Sequence, residues 1–473
     1  MTFAPERSPE TVDASSAGTK SLVPAELRAG AQTFLRDHPE LRFVDVFLTD
    51  LNGVQRGKRL PAPQALKVFD GGFRMPRSLV GVDIWGEDVF ENGLILESGD
   101  SDGLCLPHDT GLLPCPWAQT ATAQLSVMMA EADGSPFDAD PRQLLMTVQD
   151  KLRVKNASPV VALEVEFYLF PKPPAGQSTE IAPSLMSEFG SLCDLTALDE
   201  QSAFIDDLYA TCEQQGIQPG GVLKESGPGQ FELNLLHQPC AVKAADQVML
   251  LRRAIKGIAS KHGLIASFMA KPFGDRPGSG MHAHLSLIDR NGQNVFAEPS
   301  APGDPDQLIR AIAGLLKAAP ESMIFFAPHF NSAKRYQTSF HAPVRSSWGK
   351  DNRLAAIRVP NDAGQNRRLE HRIAGADANP YLVLAAILAG VMSGLDNQLT
   401  PQAPLIGSDY QPEDRRMDAD WQRTLQGFEG GTVLSPLFGP RFTKVFSACK
   451  RQEIATITSH ITGFEYSTYL RAF

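Results

Sequence analysis

Cysteine is scarce and scattered in this chain. Six cysteines occur in 473 residues, and none forms a C-x-x-C pair, so neither a cysteine zinc site nor a disulfide framework is indicated. A reduced cytoplasm is the compartment that fits such usage. Basic tracts are absent too. Lys and Arg number 44 against 54 Asp and Glu, a formal net charge of -10, which argues against a general nucleic-acid binder. Long apolar runs are also missing. The longest, Tyr381 to Met392, is too short to cross a bilayer. It follows Asn379-Pro380, a helix cap and first-turn proline, and reads as a buried helix. No internal repeat or low-complexity tract stands out. Residues 1 to 29 read as a flexible tail: up to about residue 24 they are rich in Ser, Thr, Ala, Pro and charge, without the apolar run of a signal peptide.

What is present is a globular composition, 42% hydrophobic and 21% charged, in a chain longer than one core usually fills, so two domains are expected. Leu41 to Leu48 reads as a strand, Asn52-Gly53 as a tight hairpin turn, and residues 53 to 59 as the return strand. Thr122 to Ala130 reads as another strand. These make a small β-rich domain over residues 30–137. Asp138-Ala-Asp-Pro-Arg142 marks the boundary, with a proline opening a helix, and residues 138–473 form the large domain. Pro171 to Pro183 is a Pro/Gly/Ser loop. Helices are expected at 198–215, 245–262 and 305–318.

The chemistry concentrates in five segments. Val160 to Phe170, VVALEVEFYLF, is almost wholly apolar yet carries Glu164 and Glu166 two residues apart, on one face of a strand. Burying ionised carboxylates demands a compensating charge. In Lys224-Glu-Ser-Gly-Pro-Gly-Gln-Phe-Glu-Leu-Asn234, Glu232 lies on the polar face of a strand and Glu225 precedes a Gly-Pro-Gly bend. Met281 to Leu287 puts His282, His284 and Ser286 on one face, after a glycine-rich approach from Lys271 to Gly280. Arg368 to Ile373 puts Arg368, Glu370 and Arg372 on one face. Any one of these residues taken alone reads more often as a solvated or locally paired side chain than as a ligand. Together, five carboxylates and a histidine would repel one another without cations, and oxygen-rich ligation with one imidazole suits Mg²⁺ or Mn²⁺ better than Zn²⁺. Arg335, Arg353, Arg358, Arg368 and Arg372 suit anionic substrates, although local pairing with Asp and Glu accounts for some of them. Metals, acids and phosphate-binding arginines together indicate phosphoryl transfer.

From about residue 30 onward the chain resembles the glutamine synthetase family. The resemblance rests on ALEVEFYL, KESGPGQFELN, FMAKPFGDRPGSGMHAHLSL, NSAKRY, DNRLAAIRVP and RRLEHRIAGADANPYL, in that order. Several of these look closer to the γ-glutamylpolyamine synthetase branch. The resemblance implies an α+β fold: an N-terminal β-grasp domain, then a catalytic domain whose curved antiparallel sheet is flanked by helices. It implies a homo-dodecamer of two stacked hexameric rings, with active sites at subunit interfaces. Carried onto this chain, it gives Glu164, His282 and Glu370 one divalent metal and Glu166, Glu225 and Glu232 the other, two or three ions per site in all. Arg335 and Arg372, with the Gly278 backbone and Glu166, would bind L-glutamate. Arg353, Arg358 and Arg368 would meet the phosphates of ATP, and Ser286 would lie near the nucleoside. Arg353 and Arg358 count among the expected catalytic residues for that reason.

Departures from the ammonia-using pattern bear on the second substrate. An Asp-Gly-Ser-Ser motif that helps bind ammonium aligns with Met75-Pro76-Arg77-Ser78, although a rival alignment on Phe69-Asp70-Gly71-Gly72 would restore the acid. Six residues after Arg335, where ammonia-users carry a Glu, stands His341. Pro277 replaces an Asn in the glycine-rich loop. The expected nucleophile is therefore a primary amine larger than ammonia, a polyamine or a monoamine, with His341 as a possible base. Trp85 and Trp348 could line its pocket, with core packing as the alternative. Glu87, Asp88 and Glu91 could meet a distal ammonium, with a solvated acidic loop as the alternative. The rival readings are an ammonia-dependent glutamine synthetase and a non-catalytic ring-forming relative.

Overall fold

The structure is a computed structural model, and it describes residues 22–173, 192–297, 306–336, 342–418 and 420–473. His341, the first 21 residues and most of the loop expected after Pro171 lie outside the described residues.

Two sheets organise the chain. The first has five strands: β1 (Phe43–Thr49), β2 (Gln55–Pro61), β3 (Arg74–Pro76), β4 (Asp102–Pro114) and β5 (Thr122–Ala130), in the order β2-β1-β5-β4-β3. Strands β1 and β2 form the expected antiparallel hairpin. Its turn holds Gly53 at φ +76°, a left-handed conformation that glycine adopts without penalty. Strand β1 runs parallel to β5, so the hairpin joins the centre of the sheet through its last strand in sequence. A helix over Ala25–Asp37 precedes it, beginning inside the stretch expected to be a loose tail.

The second sheet carries β6 (Ser158–Pro171), β7 (Pro219–Lys224), β8 (Gln230–Leu235), β9 (Leu264–Ser267), β10 (Met281–Ile288), β11 (Trp348–Lys350), β12 (Ile357–Val359) and β13 (Leu369–His371). Its order is β11-β12-β13-β10-β6-β8-β7, with β9 also pairing β6. Strand β6 is the spine. It is antiparallel to β10 on one side and to β8 on the other, so all three neighbouring strands send alternate side chains to the same face.

Helices cover the other face. The helix expected from Pro141 runs over Pro141–Val154, and Asp140 caps it by accepting from the backbone N–H groups of Arg142 and Gln143. The Ala241–Lys261 helix opens four residues before the expected start. The Gln307–Phe326 helix continues through Pro320, eight residues beyond the expected stop, because Ser322 to Phe326 are buried in the core. The expected 198–215 helix is two pieces, Leu195–Glu200 and Ser202–Gln215. The apolar helix Pro380–Asp396 is buried along nearly all its length.

The hairpin tip locks the two sheets together. Asn379, which caps Pro380–Asp396, also donates from Nδ2 to the Asp50 carbonyl (2.9 Å). Asn52 is buried against the Pro440–Ser459 helix, where it donates to Glu453 Oε1 (2.8 Å) and accepts from Lys450 Nζ (2.5 Å). Lys450 and Glu453 are fully buried and paired at 2.9 Å. Charges removed from water this completely hold only when each is matched.

Candidate active site

Strand register brings the scattered acids together. Across β6 and β8, Glu166 stands opposite Glu232 and Glu164 opposite Asn234. Across β6 and β10, His282 stands opposite Glu164, and across β10 and β13, His284 stands opposite Glu370. Four strands thus place their polar residues side by side on one face.

The donor atoms fall into overlapping groups. One oxygen each from Glu166, Glu225 and Glu232 lie within 4.8 Å of one another. So do ligand atoms of Glu164, Glu232 and His282, and those of Glu164, His284 and Glu370. His282 stands between the two halves. Its Nδ1 is 3.1 Å from Glu164 Oε2 and 4.0 Å from Glu370 Oε1, while its Nε2 is 3.9 Å from Glu166 Oε1.

Charge compensation differs between the halves. Burial disfavours the Glu164 carboxylate, but hydrogen bonds from His282 and His284 outweigh that and hold its pKa well below the usual carboxylate range. Glu370 is 1% exposed, and burial pushes its pKa up; Arg372, the histidines and Arg358 more than reverse the shift. Arg358 Nη1 donates to Glu370 Oε2 at 2.8 Å, and Arg372 Nη1 donates to Glu370 Oε1. Both arginines were expected on substrates. In the protein alone they engage this acid, because a carboxylate so deeply buried requires cations.

The other half is crowded by its own acids. Burial, then repulsion from Glu164, Glu166 and Glu225, pushes Glu232 up to about 9, against a smaller opposing pull from Arg372. His282 Nε2 is buried and without a hydrogen-bond partner. That nitrogen lies 3.9 Å from Glu166 Oε1. A crowded acid that must hold a proton, and a buried imidazole nitrogen left without a hydrogen-bond partner beside a carboxylate, are what a divalent cation would relieve. The donor set fits such an ion.

The glutamate-side residues also converge. Arg335 is 3% exposed and donates from Nη1 to the Ile373 carbonyl (2.6 Å). A Cβ on Gly280 would stand 2.6 Å from Arg335 Nη2, 3.1 Å from His282 Nε2 and 3.3 Å from Glu166 Oε1, so only glycine leaves the guanidinium and acids room. The Gly280 N–H donates to Glu166 Oε2 (2.9 Å). Glu166, Glu225, Gln230, Gly278 and Arg335 line one small cavity of about 20 Å³.

Two contributors were given no role from the sequence. His284 is one: its Nε2 donates to Glu164 Oε1 (2.8 Å), and its Nδ1 accepts from Arg368 Nε (3.4 Å). Its two-residue spacing from His282 was the available signal. Gln230 is the other: it donates from Nε2 to Glu166 Oε2 (3.3 Å) and to the Gly278 carbonyl (3.0 Å), while its Oε1 accepts from the Gly227 N–H (3.0 Å). Nothing in its sequence position distinguishes it from a core amide.

The remaining expected residues are more peripheral. Ser286 is half-buried two residues beyond His284 on β10. Arg368 pairs with Asp362 (2.7 Å) while reaching His284. Arg353 is exposed on the turn between β11 and β12 and touches none of the cluster. Trp348 is core, 5% exposed, with its indole N–H donating to the Gln402 carbonyl. Trp85 is 49% exposed, away from the cluster, and Glu87, Asp88 and Glu91 are solvated. Pro277 accepts a hydrogen bond from the Tyr168 hydroxyl (2.7 Å).

The sheet, the cluster and the relatives define a glutamate–amine ligase. The family profile "Glutamine synthetase, catalytic domain" matches residues 138–469, and the chain belongs to the glutamine synthetase family. Enzymes of this family use ATP and a divalent metal. The chain is 37% identical over 447 residues to γ-glutamylputrescine synthetase PuuA of Escherichia coli (strain K12), covering 93% of each chain. It is 32% identical to glutamate–isopropylamine ligase of a Pseudomonas species, covering 92% of this chain and 97% of that one. Among solved structures, a GmaS/ADP complex superposes with a TM-score of 0.79 at 27% identity, covering 93% of this chain and 99% of that one. No described helix is long and apolar enough to cross a membrane.

Proposed function

We propose that this ligase joins the γ-carboxylate of L-glutamate to a primary amine larger than ammonia, by way of a γ-glutamyl phosphate made with ATP. The observation that carries this reading is the convergence of five carboxylates, two histidines and buried arginines on one sheet face, in a chain whose relatives include two that are named for amines. A carboxylate is a poor electrophile because its oxygen is a poor leaving group, and phosphorylation supplies a good one. Arg335 grips the substrate carboxylate with a planar fork that matches it. Glu166, fixed by the Gly280 N–H and Gln230, orients the glutamate side of the site. Arg358, Arg368 and Arg353 receive the phosphates, the first leaving Glu370 to do so. Ser286 lies toward the nucleoside. Glu164, His282 and Glu370, and Glu166, Glu225 and Glu232, hold Mg²⁺ or Mn²⁺, two or three per site. Such ions neutralise the charge that builds up as two anions meet.

His341 is assigned as the base that takes the amine's proton. The assembly we favour is a dodecamer of two stacked hexameric rings in the cytoplasm, with residues 30–137 as the β-grasp domain and 138–473 as the catalytic domain. A polyamine is the amine of first choice, on the likeness to the putrescine enzyme; a small branched monoamine is the second, on the likeness to the isopropylamine enzyme. The test is Mg²⁺-dependent ADP release with glutamate plus ammonium, putrescine, spermidine, isopropylamine or benzylamine. A higher kcat/KM for one of the amines supports the reading. A preference for ammonium, or no turnover with any of them, rejects it.

A further inference from the structure

A second cavity, of about 1230 Å³, opens at the junction of the two sheets. It is lined by Asp45 and Arg59 of the first sheet, by Trp85 from the connection between β3 and β4, and by Lys256, Phe268 and Phe330, among others. None of the metal-binding carboxylates lines it. Its size exceeds the usual range of small-molecule sites, roughly 300–1,000 Å³.

The wall is cationic. Arg59, Arg252, Arg253, Lys256 and Lys334 line it against two acids, Asp45 and Asp377. Both acids are already engaged: Asp45 accepts from Arg59 (2.7 Å) and Arg253 (2.7 Å), and Asp377 accepts from the Ser332 hydroxyl (2.6 Å). Among the described residues, Arg252, Lys256 and Lys334 have no carboxylate within ion-pair distance. Arg252 is 7% exposed; its guanidinium donates to the Ala378 carbonyl and leaves Nε buried without a partner. Surplus positive charge facing a cavity repels ammonium groups and attracts an acid, so the amine substrate does not belong here.

The same wall is aromatic. The Lys256 ammonium stands 5.7 Å from the Phe268 ring centroid, and that of Lys334 stands 5.0 Å from Phe330. Trp85 and Phe330 are 49% and 45% exposed, large flat faces left open to solvent at the cavity. Cations beside open rings suit a ligand that is anionic at one end and planar at the other. The cavity also adjoins the glycine-rich loop. Asn331 lines it and clamps Lys271, accepting from its N–H and donating to its carbonyl, both at 2.9 Å. Lys271 opens the glycine-rich loop that leads to Gly280.

We propose that the junction cavity is a separate binding site for a small organic anion built on a planar ring, its acid group drawn to Lys256 and Lys334 and its ring stacked on Phe330 and Trp85. The probe is phenyl phosphate, titrated calorimetrically into the full-length protein, with inorganic phosphate and phenol as separate arms. Phenyl phosphate is expected to bind once per chain, and more tightly than either fragment. Lys256→Glu is expected to weaken it at least about tenfold, the loss of one charge-assisted contact, and Phe330→Ala about threefold or more, the loss of one ring contact. Glu164→Gln, which alters the carboxylate cluster, leaves phenyl phosphate binding unchanged. The proposal is overturned if Lys256→Glu binds like the wild type, if Glu164→Gln abolishes binding, or if phosphate alone binds as well as phenyl phosphate. Because the readout is binding rather than turnover, it stands or falls independently of which amine the ligase uses.

Discussion

Replacing Glu232 with glutamine should stabilise the metal-stripped protein while destroying its response to metal. Glu232 is 6% exposed, and its pKa is raised from 4.5 to about 9 by burial and by three neighbouring carboxylates. A raised carboxylate is protonated in the folded chain and ionised in the unfolded one between those two pH values. Stability therefore falls as pH rises through that window, by about 1.4 kcal/mol per unit, and the loss levels off above the folded pKa. At pH 7.5 the accumulated penalty is about 4 kcal/mol, an upper figure because the group is coupled to its neighbours. Glutamine has nearly the same shape and carries no such penalty. Urea unfolding of chelator-treated protein from pH 5 to 9 measures this. The wild type should lose stability steadily; Glu232→Gln should be flatter and should cross above it. Adding Mn²⁺ at a hundred times its Kd should restore about 2.7 kcal/mol to the wild type and little to the variant. Parallel pH slopes for the two proteins, or equal stabilisation by Mn²⁺, would refute the reasoning.

Three further outcomes follow from particular contacts. Arg335→Lys keeps the charge but loses the planar fork of a residue that is 3% exposed, so KM for glutamate should rise about tenfold or more in steady-state assays. Arg358→Gln leaves Glu370 with one guanidinium fewer; ATP-free Mn²⁺ binding, followed by electron paramagnetic resonance, should tighten about threefold or more while kcat falls. Lys450→Met strands Glu453 and Asn52 in a fully buried site, and denaturation should show a loss of about 3–5 kcal/mol.

The period-two pattern made the site's face legible. Glu164 and Glu166, His282 and His284, and Glu370 and Arg372 each lie two residues apart, and on strands that spacing can only mean one face. Which strands adjoin was not legible from periodicity. The order β13-β10-β6-β8 joins segments more than a hundred residues apart in places, and the family likeness anticipated a curved antiparallel sheet without its strand order. Partner choice was harder still. Arg358 and Arg372 read as substrate residues, yet both lie on Glu370, because the energy of a buried carboxylate depends on what surrounds it in space. Gln230 shows the same limit, since its importance comes from bridging Glu166, Gly278 and Gly227. Local signals worked best where one residue served one backbone need. Gly53 and Asn379 were each placed correctly as turn or cap, and Asn379 also docks the hairpin. The helix through Pro320 ran the other way, with tertiary burial of Met323 to Phe326 overriding a local stop signal.

The two halves of the cluster should also differ in how a cation enters. Glu370 and Glu164 are already engaged by arginines and histidines, so an ion arriving there displaces side chains. Glu166, Glu225 and Glu232 crowd one another, and their repulsion is relieved by a proton on Glu232. An ion arriving there must displace that proton. Below pH 9, binding to this half therefore releases about one proton per ion, and above it almost none. A pH-stat titration of the stripped protein with Mn²⁺ at pH 7 and again at pH 10 reads the difference directly. Equal proton release at both values would mean that the acids around Glu232 are ionised before the metal comes, and that something other than a proton keeps them apart.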